Sequence, residues 1–138
     1  MSGLFTQPID GILGNALDAS WLSQRVIANN VANVDTPNFK RSEVSFQDKL
    51  QAVIKGQHEG RLATTHPKHI SDAPRVALQD VRPEIYRVNN TSLRADGNNV
   101  DLDTEMARLA QVQLLYNTLL EVIGARGKRI KAAVTEGR

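Results

Sequence analysis

The chain has 138 residues, one domain's worth, with 17 Lys and Arg against 15 Asp and Glu and no Cys. The missing Cys excludes disulfides, zinc–thiolate sites and cysteine nucleophiles, and no apolar run approaches the length of a membrane span. At 4% aromatic residues a large compact core is not assured. The stretch from Met1 to Asn15 lacks a positive region followed by an apolar one, so it does not read as a cleavable secretory signal. Charge is uneven: from Gly124 onward Arg126, Lys128, Arg129, Lys131 and Arg138 stand against Glu136. Such a tail could bind nucleic acid or anionic lipid. With no aromatic stacking platform beside it, a solvated helix end is the better reading, where cations also complement the helix dipole.

The expected class is mainly α: long N- and C-terminal helices pair in a coiled-coil-like arrangement around a small irregular centre. The divisions fall at 1–35, 36–99 and 100–138. Ile9 to Asn33 reads as the first helix. Leu13, Leu17, Ser20, Gln24, Ile27 and Val31 alternate spacings of four and three along it. Trp21 and Leu22 lie off that stripe, and Trp21 is expected to serve packing. Asn29, Asn30 and Asn33 suit a helix end, and Pro37 pushes Thr36 out of the α region, so the helix stops near Asn33 to Asp35.

Ser45 to Ile54 reads as a short helix capped by Ser45, with Phe46, Leu50, Val53 and Ile54 on one face and Gly56 and Gly60 ending it. From Arg61 to Leu93 the pattern turns extended. Val76 and Leu78 alternate with Arg75, Ala77 and Gln79, and Ile85, Tyr86 and Val88 follow, which predicts two short strands in a hairpin. Asp96-Gly97-Asn98-Asn99 is a strong turn signal.

The last helix is the clearest element. Asp101 is a good N-cap, and Asp103 and Glu105 put negative charge in the first turn. Leu102, Met106, Leu109, Gln113, Tyr116, Leu120, Ile123, Gly127, Ile130 and Val134 keep a strict four-three repeat. All but Gln113 and Gly127 are apolar, which matches a coiled-coil seam. Val112, Leu115, Leu119 and Val122 form a second row, so one partner helix does not cover the whole apolar face. Gly124 and Gly127 are expected to loosen the helix before its basic end.

The segment from Ala28 to Lys40 resembles the N-terminal signature of bacterial flagellar rod and hook proteins. The residues that carry the match are Asn30, Val31, Ala32, Asn33, Thr36, Pro37, Asn38 and Phe39. The family usually has Gly where Asn38 stands, and Asn is among the few other residues that tolerate a left-handed backbone. Asp96 to Ala107, with Leu109, Ala110, Leu114 and Tyr116, is similar to the C-terminal motif of one short rod subtype. Leu119 stands where most of the family has Asn, as in that proximal-rod subtype, and Ala63 to Ile70 also looks like it. The nearest alternative within the family is the other short rod protein, FlgC.

The resemblance implies a structural subunit of the periplasm-spanning rod, which transmits motor torque. It implies no enzymatic activity and no cofactor. It also implies that the terminal helices (Leu13, Leu17, Trp21, Ile27, Val31; Leu102, Met106, Leu109, Tyr116, Leu120, Ile123, Ile130) pack in the inner part of the tube. The implied partners are further copies of the chain, FlgC, the distal rod proteins, FliE and the MS-ring protein FliF. Export would run through the flagellar type III apparatus without a cleaved signal peptide.

Other chemistries fare less well. His66 and His69 are three apart, but Pro67 prevents a helical ligand pair, and a surface loop is favoured. A hydrolase using either His with a nearby carboxylate is a weak alternative, as is a basic-tailed nucleic-acid-binding protein. The oxygen-rich run of Asp96, Asn98, Asp101, Asp103 and Glu105 invites a calcium reading, but its order is not that of an EF-hand loop. A turn followed by a helix cap explains it.

Overall fold

A computed structural model describes residues 8–59, 77–89 and 94–136. In chain order the elements are α1 (Pro8–Ala32), β1 (Ser42–Ser45), α2 (Gln47–Glu59), a 3-10 turn (Leu78–Asp80), β2 (Glu84–Arg87) and α3 (Leu102–Glu136). His66 and His69 and the motif from Ala63 to Ile70 lie outside the described residues, as does Val76 of the expected first strand.

α1 begins on Pro8, whose fixed φ suits a first helical position, and carries Asp10 in its first turn. It closes with tightened bonds, Asn33 N–H to the Asn30 carbonyl (3.1 Å) and Val34 N–H to that of Val31 (3.2 Å). α3 starts where its cap predicts: the Asp101 carboxylate accepts from the Asp103 N–H (3.1 Å) and the Thr104 hydroxyl (2.8 Å). These bonds hold the Asp101 carboxyl below its ordinary pKa. α3 then runs unbroken through Gly124 and Gly127, roughly 52 Å at about 1.5 Å per residue. The glycines therefore do not interrupt it.

α1 and α3 lie antiparallel. The end of α1 meets the start of α3 where Asn30 bonds Glu105 (2.9 Å), and the start of α1 meets the far part of α3 where Asp10 takes Arg126 Nε at 2.7 Å. α1 is also the support for the centre, since β1 and the 3-10 turn pack on it as well. Gly11 permits the latter contact, because a Cβ there would sit 3.1 Å from that of Gln79. Asn15 fixes it by donating to the Gln79 carbonyl (2.7 Å). The core is small: Ala19, Phe46 and Val81, with Ala16, Leu50 and Val53 against them. Burial of Phe46 contributes on the order of 1.5–3 kcal/mol.

The centre departs from expectation in three ways. Ser45 does not cap the short helix; it ends β1, and α2 starts at Gln47 and continues past Gly56 to Glu59. The stretch around Leu78 is a 3-10 turn and not a strand. β2 pairs with β1 in place of a hairpin partner, antiparallel, with Val44 opposite Ile85 and Glu43 opposite Tyr86. The reason lies in α1, whose Asn30 side chain holds the Ser42 backbone and so places β1 beside β2. Trp21 is also not core. It is 52% exposed, with the Arg25 guanidinium 4.8 Å above its ring.

Candidate functional site

The two motifs singled out in the sequence meet in space and form one polar junction. Asn30, 1% exposed, donates from Nδ2 to the Ser42 carbonyl and to Glu105 Oε2, both at 2.9 Å, and its Oδ1 accepts from the Ser42 N–H at 2.9 Å. One side-chain amide thus joins α1, β1 and α3. Glu105 is equally buried, and Arg41 and Arg108 stand 3.5 and 3.6 Å from its Oε1. Both arginines lie closer to Glu43 on β1, at 2.7 and 2.6 Å, and the Tyr86 hydroxyl donates to the same Glu43 carboxylate.

Burial alone would raise the Glu43 carboxyl. The Tyr86 and Arg108 hydrogen bonds and the charges of Arg41 and Arg108 outweigh it and hold it below the ordinary 4.5. A depressed folded-state pKa contributes stability that is present above the unfolded value and lost as pH falls through the folded one. Glu43→Gln is therefore expected to destabilise at neutral pH and to approach the parent below about pH 4. Urea unfolding at both pH values measures this. An equal gap at both would remove Glu43 as the acid-sensitive group.

The second half of the junction closes the end of α1. Asn98, fully buried, donates from Nδ2 to the carbonyls of Asn33 (3.0 Å), Val34 (3.0 Å) and Thr36 (2.9 Å). Its Oδ1 accepts from the Val100 N–H at 2.7 Å. Asn99, also fully buried, accepts from the Arg41 N–H and donates to the Val88 carbonyl, both at 2.7 Å. The carbonyls of the turn that follows α1 are thus held by a side chain more than 60 residues away in sequence.

Asn38 and Gly97 lock the two loops together. Both have positive φ, 59° and 81°, and the Asn38 N–H donates to the Asp96 carbonyl at 2.9 Å. A Cβ on Gly97 would lie 2.6 Å from Asn38 Oδ1. The left-handed backbone is what the Asn-for-Gly exchange at position 38 predicts. Asn38→Gly is expected to be tolerated, and Asn38→Val to cost about 1–3 kcal/mol, because a β-branched residue is strained there. Thermal unfolding of the two variants side by side checks it; equal melting would mean no special backbone requirement.

Within the flagellar-type motif, Asn30, Asn33 and Asn38 take part in the junction. Val31 and Phe39 are half-buried beside it, and Ala32, Thr36 and Pro37 are exposed. Thr36 engages through its backbone and through its hydroxyl, 3.3 Å from Asn33 Oδ1. Of the helix-packing residues, Ile27 is buried, and Leu13, Leu17, Leu109 and Tyr116 are half-buried. Leu102, Met106, Leu120, Ile123 and Ile130 remain exposed within the single chain. The joining is done by Glu105, Asn98 and Asn99, which in the sequence have only cap and turn roles, and by Arg41 and Glu43, which no sequence pattern singles out.

Chemically, this is a site that holds backbone. Its amides saturate peptide groups, and its carboxylates are held by arginines. Among the described residues no group of three or more His, Asp or Glu could hold a metal ion. Nor is any described helix long and apolar enough to cross a membrane. An open cleft of about 480 Å³ lies between α1, α2 and α3, its apolar lining including Ala19, Val26, Phe46, Leu50, Val112 and Leu115.

Two long helices, pinned at one end by a buried polar junction and leaving apolar rows uncovered, define a structural subunit. The family profile described as flagella basal body rod protein matches residues 12–40. The chain is 38% identical over 128 residues to the flagellar basal body rod protein FlgB of Bacillus subtilis strain 168, covering 91% of this chain and 92% of that protein. It is 36% identical over 108 residues to FlgB of Borreliella burgdorferi (77% and 80% covered) and 33% over 122 residues to FlgB of Salmonella typhimurium (82% and 83%). The chain belongs to the FlgB family of flagellar basal body rod proteins.

Proposed function

We propose that this chain is a structural subunit of the proximal rod, joined to its neighbours through α1 and α3 and helping to pass motor torque along the periplasmic part of the flagellum. It acts without catalysis or cofactor. Its neighbours in this reading are further copies of itself, FlgC, the distal rod proteins, FliE and the MS-ring protein FliF, and it reaches them through the flagellar type III export apparatus. The observation that carries the reading is the exposed apolar row on α3, Leu102, Met106, Leu120, Ile123 and Ile130, on a helix already braced against α1 by the motif junction. A braced helix with uncovered apolar side chains is built to bury them against another subunit.

Ile130→Asp places a charge in that row far from the junction. The variant is expected to fold and be exported but to leave rods incomplete, because a carboxylate buried without a partner is costly. Motility of cells carrying it, with electron microscopy of their basal bodies, is the test. Normal rods and normal swimming would remove this row from the assembly surface.

A further inference from the structure

The outer side of α3 carries a stripe that shares Met106 and Leu120 with the apolar row assigned to rod assembly. With about 3.6 residues per turn, Asp103, Met106, Ala110, Leu114, Asn117, Leu120, Gly124, Lys128 and Lys131 fall along one side of the helix, and every one is exposed. The stripe is acidic at its start and basic at its end, and no charge occurs on α3 between Arg108 and Glu121. It is also symmetric about Asn117: Asp103 and Lys131, Met106 and Lys128, Ala110 and Gly124, and Leu114 and Leu120 are equidistant from it.

We propose that two copies of this chain pair antiparallel through this stripe, with the two-fold axis at Asn117. In that register each Asp103 faces a Lys131 of the other copy, and the alkyl stem of Lys128 covers Met106. Leu114, 70% exposed in the single chain, packs on Leu120. Ala110 meets Gly124, where even an added Cβ would touch nothing within 4 Å, so the helices can approach closely. Glu121 falls opposite the uncharged Gln113. Parallel in-register pairing would instead set Asp103 against Asp103 and Lys131 against Lys131, a like-charge arrangement that is destabilising. A two-fold pair is closed, whereas a tube grows by head-to-tail contacts between subunits that all run one way. The antiparallel pair is therefore a state outside the rod, and it covers Met106 and Leu120 before assembly.

The chain has no Cys, so single-cysteine variants report the register directly. Differently tagged Met106→Cys and Lys128→Cys proteins would be mixed, oxidised and resolved by mass. The expected product is the mixed 106–128 disulfide, with little dimer from either variant alone. Sedimentation equilibrium of the parent protein should show a dimer. Asp103→Lys should weaken it about tenfold and adding Lys131→Asp should restore it, the scale of two exposed charge pairs turned repulsive. Dimers linked 106–106 or 128–128 in the single variants would overturn the proposal, as would a parent protein that sediments as a monomer. Either failure leaves the rod reading untouched, since motility and rod completion test that separately.

Discussion

Asn30→Ala is expected to be among the most damaging single substitutions in the described fold, lowering stability by about 3–5 kcal/mol. The figure is large because of what the substitution leaves behind. Glu105 stays buried with its Oε2 partner gone, and its arginines remain 3.5 and 3.6 Å away on the other oxygen. The Ser42 N–H and carbonyl lose the amide that pairs them at 2.9 Å. Removing one partner of a buried charge costs far more than the net value of the pair. A second variant separates the contributions. If the stranded carboxylate dominates, adding Glu105→Gln to Asn30→Ala should recover part of the loss, while Glu105→Gln alone should destabilise. Urea unfolding of the parent, the two single variants and the double variant closes this cycle. A loss under 1 kcal/mol for Asn30→Ala would mean that the junction does not hold the helices together.

What the sequence made legible was local. The Asp101 cap and the four-three repeat predict α3 within a residue or two of its observed limits, because cap and periodicity are both written in consecutive residues. The end of α1 was readable for the same reason, from Asn33 to Pro37. The left-handed backbone at Asn38 followed from the few residue types that tolerate one. What stayed hidden was long-range. β1 is four residues, Ser-Glu-Val-Ser, with no usable alternation, and its partner lies beyond α2. Glu105 looks like an ordinary first-turn acid until Asn30 is seen to reach it. Asn98 and Asn99 look like turn residues, since Asn is common in turns whether or not its side chain holds a distant backbone segment. The active part of the junction lies in pairings between motifs, and each motif alone also reads as a helix end or a turn.

Asn98 offers the second large effect and a test with a sign. Asn98→Ala removes a donor to three carbonyls and the acceptor for the Val100 N–H, all in a buried setting, and is expected to cost about 2–4 kcal/mol. Asn98→Asp is nearly the same size and should be worse at neutral pH, because it turns a carboxylate oxygen toward the carbonyls of Asn33, Val34 and Thr36. Burial and those carbonyls both disfavour its charged form, so its folded-state pKa should rise above the ordinary value of about 3.9. A raised folded-state pKa means that the folded protein binds more protons. Stability relative to Asn98→Ala should then improve as pH falls through the folded value toward the unfolded one. Comparing the two variants at each pH cancels the acid sensitivity contributed by Glu43. Urea midpoints that run parallel for Asn98→Asp and Asn98→Ala from neutral to acid pH would show that the Asn98 amide does not hold the turn after α1. A gap that closes or inverts in acid would show that the opposite motif holds the turn after α1, through Asn98 Nδ2 on the carbonyls of Asn33, Val34 and Thr36.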